Sequence, residues 1–229
     1  MIDTLIIGSG YLGSIIKEQL TGVVSSSLDN SGDFHFKLEE GDFRTLPKAK
    51  NLIITCSTEN MNNRIFEFSK FVKENYDRVI LISTASLFNI PYPDAQINEQ
   101  CPLKDHPRTQ SESVFEDFAI ILHLGLLWDP VIRKPEKWLS RIKNGKKYVN
   151  LCNSKLVADV CKTLLIVKEK HTGHFICTDG KATRWVELAN RAKLQLPELK
   201  TGKESKILSC KKLQITLKSK IDWNSYVYF

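Results

Sequence analysis

The chain has 229 residues, of which 42% are hydrophobic and 26% charged, enough for one sizeable core with a small appendage and ordinary for a globular protein. No apolar run approaches the roughly 18 residues of a membrane span, and no basic segment precedes the first apolar stretch, so a cytoplasmic protein without a membrane partner is expected. Lysines and arginines number 33 against 26 acidic residues, a net +7 gathered largely in the last third (Lys200, Lys203, Lys206, Lys211, Lys212, Lys218, Lys220); with no aromatic-rich basic module beside them, they read as a solvated face or a field for phosphorylated small molecules, not a nucleic-acid surface.

The first predicted unit is a strand through Thr4-Leu5-Ile6-Ile7, a turn Gly8-Ser9-Gly10-Tyr11-Leu12-Gly13, and a helix with Leu12, Ile15, Ile16 and Leu20 at helical spacing. Strand, glycine turn and helix in that order are the context of a dinucleotide fingerprint. Gly8 permits the tight turn, Gly10 lets the backbone approach a pyrophosphate, and Gly13 seats the helix close on the strand. The helix N-terminus offers free N–H groups to phosphate. A second strand, Val23 to Ser27, ends where an adenosine ribose would lie. It carries serines, Ser26 among them, before Asp29. Serine hydroxyls donate to a 2′-phosphate, so NADP suits this end, with NAD as the alternative; equally, the serines only cap the strand.

Asp33 to Leu38 alternates as a third strand, with His35 structural. Asn51 to Ser57 and Arg78 to Phe88 are continuous apolar runs ending in small polar residues, typical of parallel strands buried on both faces. Their carboxyl ends place Cys56, Ser83 and Thr84 beside the glycine turn. A helix from Met61 to Tyr76 lies between them, a helix N-terminus is read at Ser111, and Ala119 to Trp128 reads as one further strand that adds Leu126 to the same crevice. Alternating strands and helices imply an α/β fold, a doubly wound parallel Rossmann sheet over residues 1–130. Residues 131–229 then form a small α+β substrate lobe interwoven with it, with helices through Trp138 to Ile142 and from Asp159, and a short strand His174 to Cys177.

Six cysteines are scattered without a C-x-x-C pair, so they are expected reduced, and no zinc site is expected. His171 and His174 stand three apart, but no carboxylate or cysteine completes a metal site. Ser83-Thr84 lacks the Gly-x-Ser-x-Gly elbow of a hydrolase.

Six segments in order resemble the extended and atypical short-chain dehydrogenase/reductases, the NAD(P)-dependent epimerase/dehydratase group. They are the glycine motif at Gly8 to Gly13, Ser83 to Phe88, Asn98-Glu99 followed by Cys101-Pro102, Ile121 to Pro130, Leu156 to Val160, and Gly202 to Trp223. The resemblance implies a nicotinamide dinucleotide held by Gly8, Ser9, Gly10, Tyr11, Leu12 and Gly13, and a small-molecule substrate, nucleotide sugars being the group's favourite. It also implies Thr84 as the hydroxyl that holds a substrate carbonyl. The group's Tyr-x-x-x-Lys pair is missing. Counting from Glu116, its slots fall on Arg108 and Glu112, or with a one-residue shift on Thr109 and Ser113. Arg108 is the candidate replacement that polarises a carbonyl, with His106 or Tyr92 supplying a proton. The alternative for Arg108 and Glu112 is a surface i,i+4 ion pair worth a few tenths of a kcal/mol. Two functions stay open: an oxidoreductase with a replaced acid, or an NADP(H)-responsive binding protein without turnover. Members commonly pair through the motif helix, which leaves a homodimer open.

Overall fold

Apolar side chains alternate between two faces along the first strand, β1 (Ile2–Ile7), and this alternation organises the molecule. Leu5 and Ile7 face one core; Ile6 faces another. The computed structural model describes residues 2–29, 31–196 and 205–228, so Lys200, Gly202 and Lys203 lie outside the described residues. After β1 come helix α1 (Tyr11–Gln19), β2 (Val23–Ser27), a short β3 (Phe34–His35) and β4 (Ala49–Ile54). Helix α2 (Arg64–Asn75) and β5 (Arg78–Thr84) follow, then β6 (Ala95–Ile97), helix α3 (Pro107–Ser113) and β7 (Ile120–Leu124). The rest comprises β8 (Leu126–Trp128), α4 (Glu136–Leu139), β9 (Tyr148–Val149), β10 (Leu151–Asn153), α5 (Ser154–Ile166), β11 (Gly173–Cys177), β12 (Thr183–Arg184), α6 (Trp185–Arg191), β13 (Lys206–Leu208) and α7 (Lys211–Leu217).

Seven parallel strands make the main sheet in the order β11-β7-β5-β4-β1-β2-β3. Leu52, Ile54, Val79 and Leu81 join Leu5 and Ile7 in a core covered by α2 and by Phe115 beyond α3. Ile53, Ile80, Ile82 and Leu122 join Ile6 in the opposite core, covered by α1, α5 and α7. Apolar strand residues on both faces, each face roofed by helices, are what a buried parallel sheet requires. The winding reverses direction at β1, which has β2 on one side and β4 on the other, so a crevice opens at the carboxyl end of β1. Strand β11, from late in the chain, completes the sheet beside β7, and α5 packs on α1. Three two-stranded pairs, β8 with β10, β9 with β12 and β6 with β13, stand beside the sheet over their own small cores. Among the described residues no helix is long and apolar enough to cross a membrane.

Several predicted elements are corrected. The stretch Ala119 to Trp128 is two strands broken at Gly125, where an added Cβ would lie 2.3 Å from the Asn150 carbonyl oxygen. Only β7 belongs to the main sheet; β8 turns to β10. Helix α3 begins at Pro107, not Ser111, because the His106 ring nitrogen accepts from the Arg108 N–H and Pro107 has no N–H to satisfy at the first position. Helix α5 begins at Ser154, capped by Asn153, not at Asp159. Helix α2 starts only at Arg64, α4 ends at Leu139, and the third strand is confined to Phe34–His35.

Asp179 follows β11 and is 4% exposed. Burial pushes its carboxyl from an ordinary 3.8 up to about 6, against a hydrogen bond from the Lys181 N–H. Between those values the folded chain holds a proton that the unfolded chain has released, so this group's contribution to stability falls as pH rises through the window. Asp179→Asn is expected to stabilise the protein at pH 7 relative to pH 4 by on the order of 2 kcal/mol more than the parent, read from urea unfolding across that range. Parallel pH profiles for the two proteins would refute this.

Candidate functional site

The crevice is built around the turn after β1. Gly8 has a φ of +103°, which a side chain would resist. The Gly8 N–H donates to Ser26 Oγ, the Ser9 N–H to the Ser26 carbonyl, and Thr55 Oγ1 to the Gly8 carbonyl, tying the turn to both neighbouring strands. Gly13 lies so close that a Cβ would meet the Gly8 carbonyl oxygen at 2.0 Å. Gly10 differs: a Cβ there meets no protein atom within 4 Å. It is also the N-cap of α1 and bears no side chain to cover the first N–H groups. Beyond Gly8 and Ser9 the turn therefore faces open space with the first N–H groups of α1 uncapped by a side chain, the form an oxyanion of a dinucleotide would fill.

Two cavities meet at this turn. One, of about 290 Å³, runs along the carboxyl end of β2 between Ile7, Ser27, Leu28, Phe36 and Leu38. The other, of about 440 Å³, runs past Thr55, Ser83, Thr84 and Arg108. Gly8, Gly10 and Cys56 line both. A dinucleotide has this shape: two nucleoside halves joined at a pyrophosphate. Of the serines of β2, Ser25 donates to the Asp33 carboxylate, and the other two are turned to the backbone. Ser26 Oγ accepts from Gly8, and Ser27 Oγ accepts from the Gly32 N–H at 2.8 Å. Asp29 and Glu39 line the β2 cavity, and no Lys or Arg does so among the described residues. Hydrogen bonds from the Ser31 hydroxyl and N–H hold the Asp29 carboxyl below its ordinary range, so it is a carboxylate at neutral pH.

Thr84 ends β5 and lines both the larger cavity and a third, of about 380 Å³, reaching Tyr148, Trp185 and Lys206. Its hydroxyl accepts from the Ser86 N–H and donates to Ser86 Oγ. Arg108 is not on the open surface. Its Nε donates to Glu112 Oε1 at 2.7 Å and its Nη2 to the Ile82 carbonyl at 2.8 Å. Glu112 is 1% exposed, and its other oxygen accepts from Ser83 Oγ at 2.6 Å. The i,i+4 ion pair that spacing offers as the alternative is thus present but buried, in a network that ties α3 to the end of β5.

No protein-family model matches the sequence, and no curated protein matches it. Solved structures do. The Bordetella bronchiseptica enzyme WbmG in complex with NAD and UDP superimposes with a TM-score of 0.72 over 93% of this chain and 86% of its own, at 13% identity. Human epimerase family protein SDR39U1 with NADPH gives 0.71 over 97% of each chain at 12% identity. UDP-N-acetylglucosamine 4-epimerase from Bacillus cereus gives 0.71 over 99% and 96%, also at 12% identity. The chain has the fold of the epimerase-type short-chain dehydrogenase/reductases.

Within that fold the remaining site residues can be placed. Tyr11 and Leu12 line the larger cavity, but the Tyr11 hydroxyl is engaged: it donates to Asp129 and lies 2.7 Å from Ser154 Oγ. Burial and the Asp129 carboxylate push it up to about 12, so it stays a neutral phenol. Ser9 is buried, its carbonyl accepting from Ser14 Oγ. Leu126 is 41% exposed and lines the third cavity, not the crevice at the glycine turn, because the break at Gly125 turns β8 away. His106 caps α3, and Tyr92 is 62% exposed; neither lines the cavities that contain Thr84. His174 joins His123 and Glu116 in a hydrogen-bonded chain at 2.8 and 2.9 Å, with burial holding His123 down to about 3. Sequence reading missed Lys206. Its ammonium donates to the Ala85 and Phe88 carbonyls, and burial lowers it to about 8. Nothing local marks it, since β13 reaches the site only by pairing with β6.

Proposed function

We propose that the chain is an NAD(H)-binding oxidoreductase of the short-chain dehydrogenase/reductase type, acting on a small carbonyl or hydroxyl metabolite of the nucleotide-sugar class. The observation that carries this reading is the Gly10 cradle, open to the meeting point of two cavities. The proteins it resembles in fold are described with NAD, NADPH or UDP. Support for NAD over NADP comes from the β2 cavity: Asp29 suits ribose hydroxyls, whereas a 2′-phosphate would meet Asp29 and Glu39 with no cation beside them.

In this reading the pyrophosphate sits against Gly10 and the first N–H groups of α1, with Gly8 and Gly13 shaping the turn, and Leu28, Phe36 and Leu38 take the adenine end. A bound nicotinamide would supply or accept the hydride. Thr84 holds the substrate oxygen from the wall shared by the two cavities. Lys206 supplies the titratable proton, since its lowered value brings it near neutrality. The substrate portion packs on Tyr148 and Trp185, where Lys147 and Lys206 favour an anion.

One observation favours a second reading, a dinucleotide-binding protein without turnover: the two slots of the family's acid pair hold a closed ion pair, Arg108 with Glu112. Calorimetric titration with NADH and NADPH tests the first step, with tighter NADH expected. NADH loss and product formation over a panel of nucleotide sugars and carbonyls test the second. Thr84→Val is expected to lower turnover at least tenfold while leaving NADH affinity within about twofold. Absence of any NAD(H) or NADP(H) binding would sink both readings; tight binding with no turnover over the panel leaves only the second.

A further inference from the structure

We propose that Arg133 is a phosphate clamp, a guanidinium that grips the dinucleotide pyrophosphate across the crevice from the glycine turn. This rests on the dinucleotide reading of the crevice and adds a residue from a distant segment to it.

The glycine motif itself, Gly8-Ser9-Gly10-Tyr11-Leu12-Gly13, contains no cation. Backbone N–H groups are neutral donors, and a guanidinium would add charge complementarity to the two negative charges of a pyrophosphate. The described residues lining the larger cavity include two arginines. Arg108 is committed to Glu112 and the Ile82 carbonyl. Arg133 is not. Its guanidinium lies over the Tyr11 ring, 4.1 Å from the centroid, and Tyr11 directly follows Gly10 at the start of α1. The guanidinium makes no hydrogen bond or ion pair among the described residues, so its planar fork of donors is available to an oxyanion.

The neighbouring acid, Asp129, is engaged elsewhere. Asp129 Oδ1 accepts from the N–H groups of Val131 at 2.7 Å and Ile132 at 2.6 Å. Its Oδ2 accepts from the Arg133 N–H at 3.2 Å and from the Tyr11 hydroxyl. These bonds satisfy the carboxylate and fix the turn that carries Arg133, while Tyr11 anchors that turn to the first residue of α1. The guanidinium is therefore preorganised on an aromatic seat beside the cradle, which lowers the ordering cost of binding. A bidentate guanidinium on one side and the amides of the glycine turn on the other would enclose the anion.

The test compares three ligands against Arg133→Ala and Arg133→Lys. NADH and ADP-ribose contain the pyrophosphate; adenosine does not. Arg133→Ala is expected to weaken NADH and ADP-ribose at least tenfold, to leave adenosine within twofold, and to flatten the salt dependence of ADP-ribose binding. Arg133→Lys should recover part of the loss, because it restores charge without the fork. The side chain is exposed, so an unchanged thermal melt is expected for both variants. Unchanged ADP-ribose affinity in Arg133→Ala, or an equal loss for adenosine, overturns the clamp while the dinucleotide reading stands. Failure of the parent protein to bind NADH, NADPH or ADP-ribose overturns the reading itself, and the clamp with it.

Discussion

Gly10→Val is expected to abolish dinucleotide binding without unfolding the protein. A Cβ at this position meets no protein atom within 4 Å, and the backbone there has an ordinary φ of −64°. The valine methyls therefore cost the apo fold little and occupy the space that the turn leaves open. Loss of close approach to the amides should lower NADH affinity more than about a hundredfold, roughly 2.7 kcal/mol. Gly13→Ala in the same motif should fail in the opposite manner. Its Cβ would be 2.0 Å from the Gly8 carbonyl oxygen, so the helix must back away from the strand, at a cost of about 1–3 kcal/mol or more in stability. Calorimetric titration and thermal melts on the two variants separate these effects. If Gly10→Val keeps NADH affinity within threefold of the parent, the turn does not hold the pyrophosphate.

The glycine turn was legible because Gly8, with its positive φ, and Gly13, pressed on the Gly8 carbonyl, answer backbone demands that a side chain resists, and such demands are written locally. The core of the main sheet was legible for a similar reason. A strand buried on both faces must be apolar throughout, and runs such as Leu52-Ile53-Ile54 and Val79-Ile80-Leu81-Ile82 have few other readings. What stayed hidden depends on partners far away in sequence. Residues Ala119 to Trp128 read as one strand because nothing local shows that the Asn150 backbone presses on Gly125. Glu112 looks like a solvated helix residue until Ser83 and Arg108 are seen to close over it. Lys206 and Arg133 enter the crevice walls from strands and turns whose docking is set by tertiary pairing, so no motif announces them. The serines of β2 suggested a phosphate partner by composition alone; the Ser26 and Ser27 hydroxyls accept from the Gly8 and Gly32 amides, and the Ser25 hydroxyl donates to Asp33.

Arg108→Ala should be among the most destabilising substitutions in the chain, although spacing alone assigns its ion pair a few tenths of a kcal/mol. Burial decides the difference. Glu112 is 1% exposed; burial pushes its carboxyl up, and the Arg108 and Ser83 hydrogen bonds oppose that rise. Removing the guanidinium leaves a buried carboxylate with Ser83 as its remaining side-chain donor and leaves the Ile82 carbonyl without the Arg108 donor. Breaking a buried pair in this way costs about 3–5 kcal/mol. The deficit should depend on pH with a definite sign. Without Arg108 the folded carboxyl rises further above its unfolded value, so the folded state binds the extra proton and stability falls as pH rises. Arg108→Ala is therefore expected to lie closest to the parent at pH 4 and furthest at pH 7. Replacing both members, Arg108→Met with Glu112→Leu, should restore most of the stability, because an apolar pair of similar volume carries no desolvation penalty. Urea unfolding of the parent, the single variant and the double variant at the two pH values measures all of this. An Arg108→Ala protein within 1 kcal/mol of the parent at pH 7 would mean that the pair is solvated after all. NADH titration of the double variant then separates structure from chemistry: with β5 and α3 held by apolar packing, any remaining loss of affinity belongs to the Arg108 side chain in the cavity wall rather than to the ion pair that positions it.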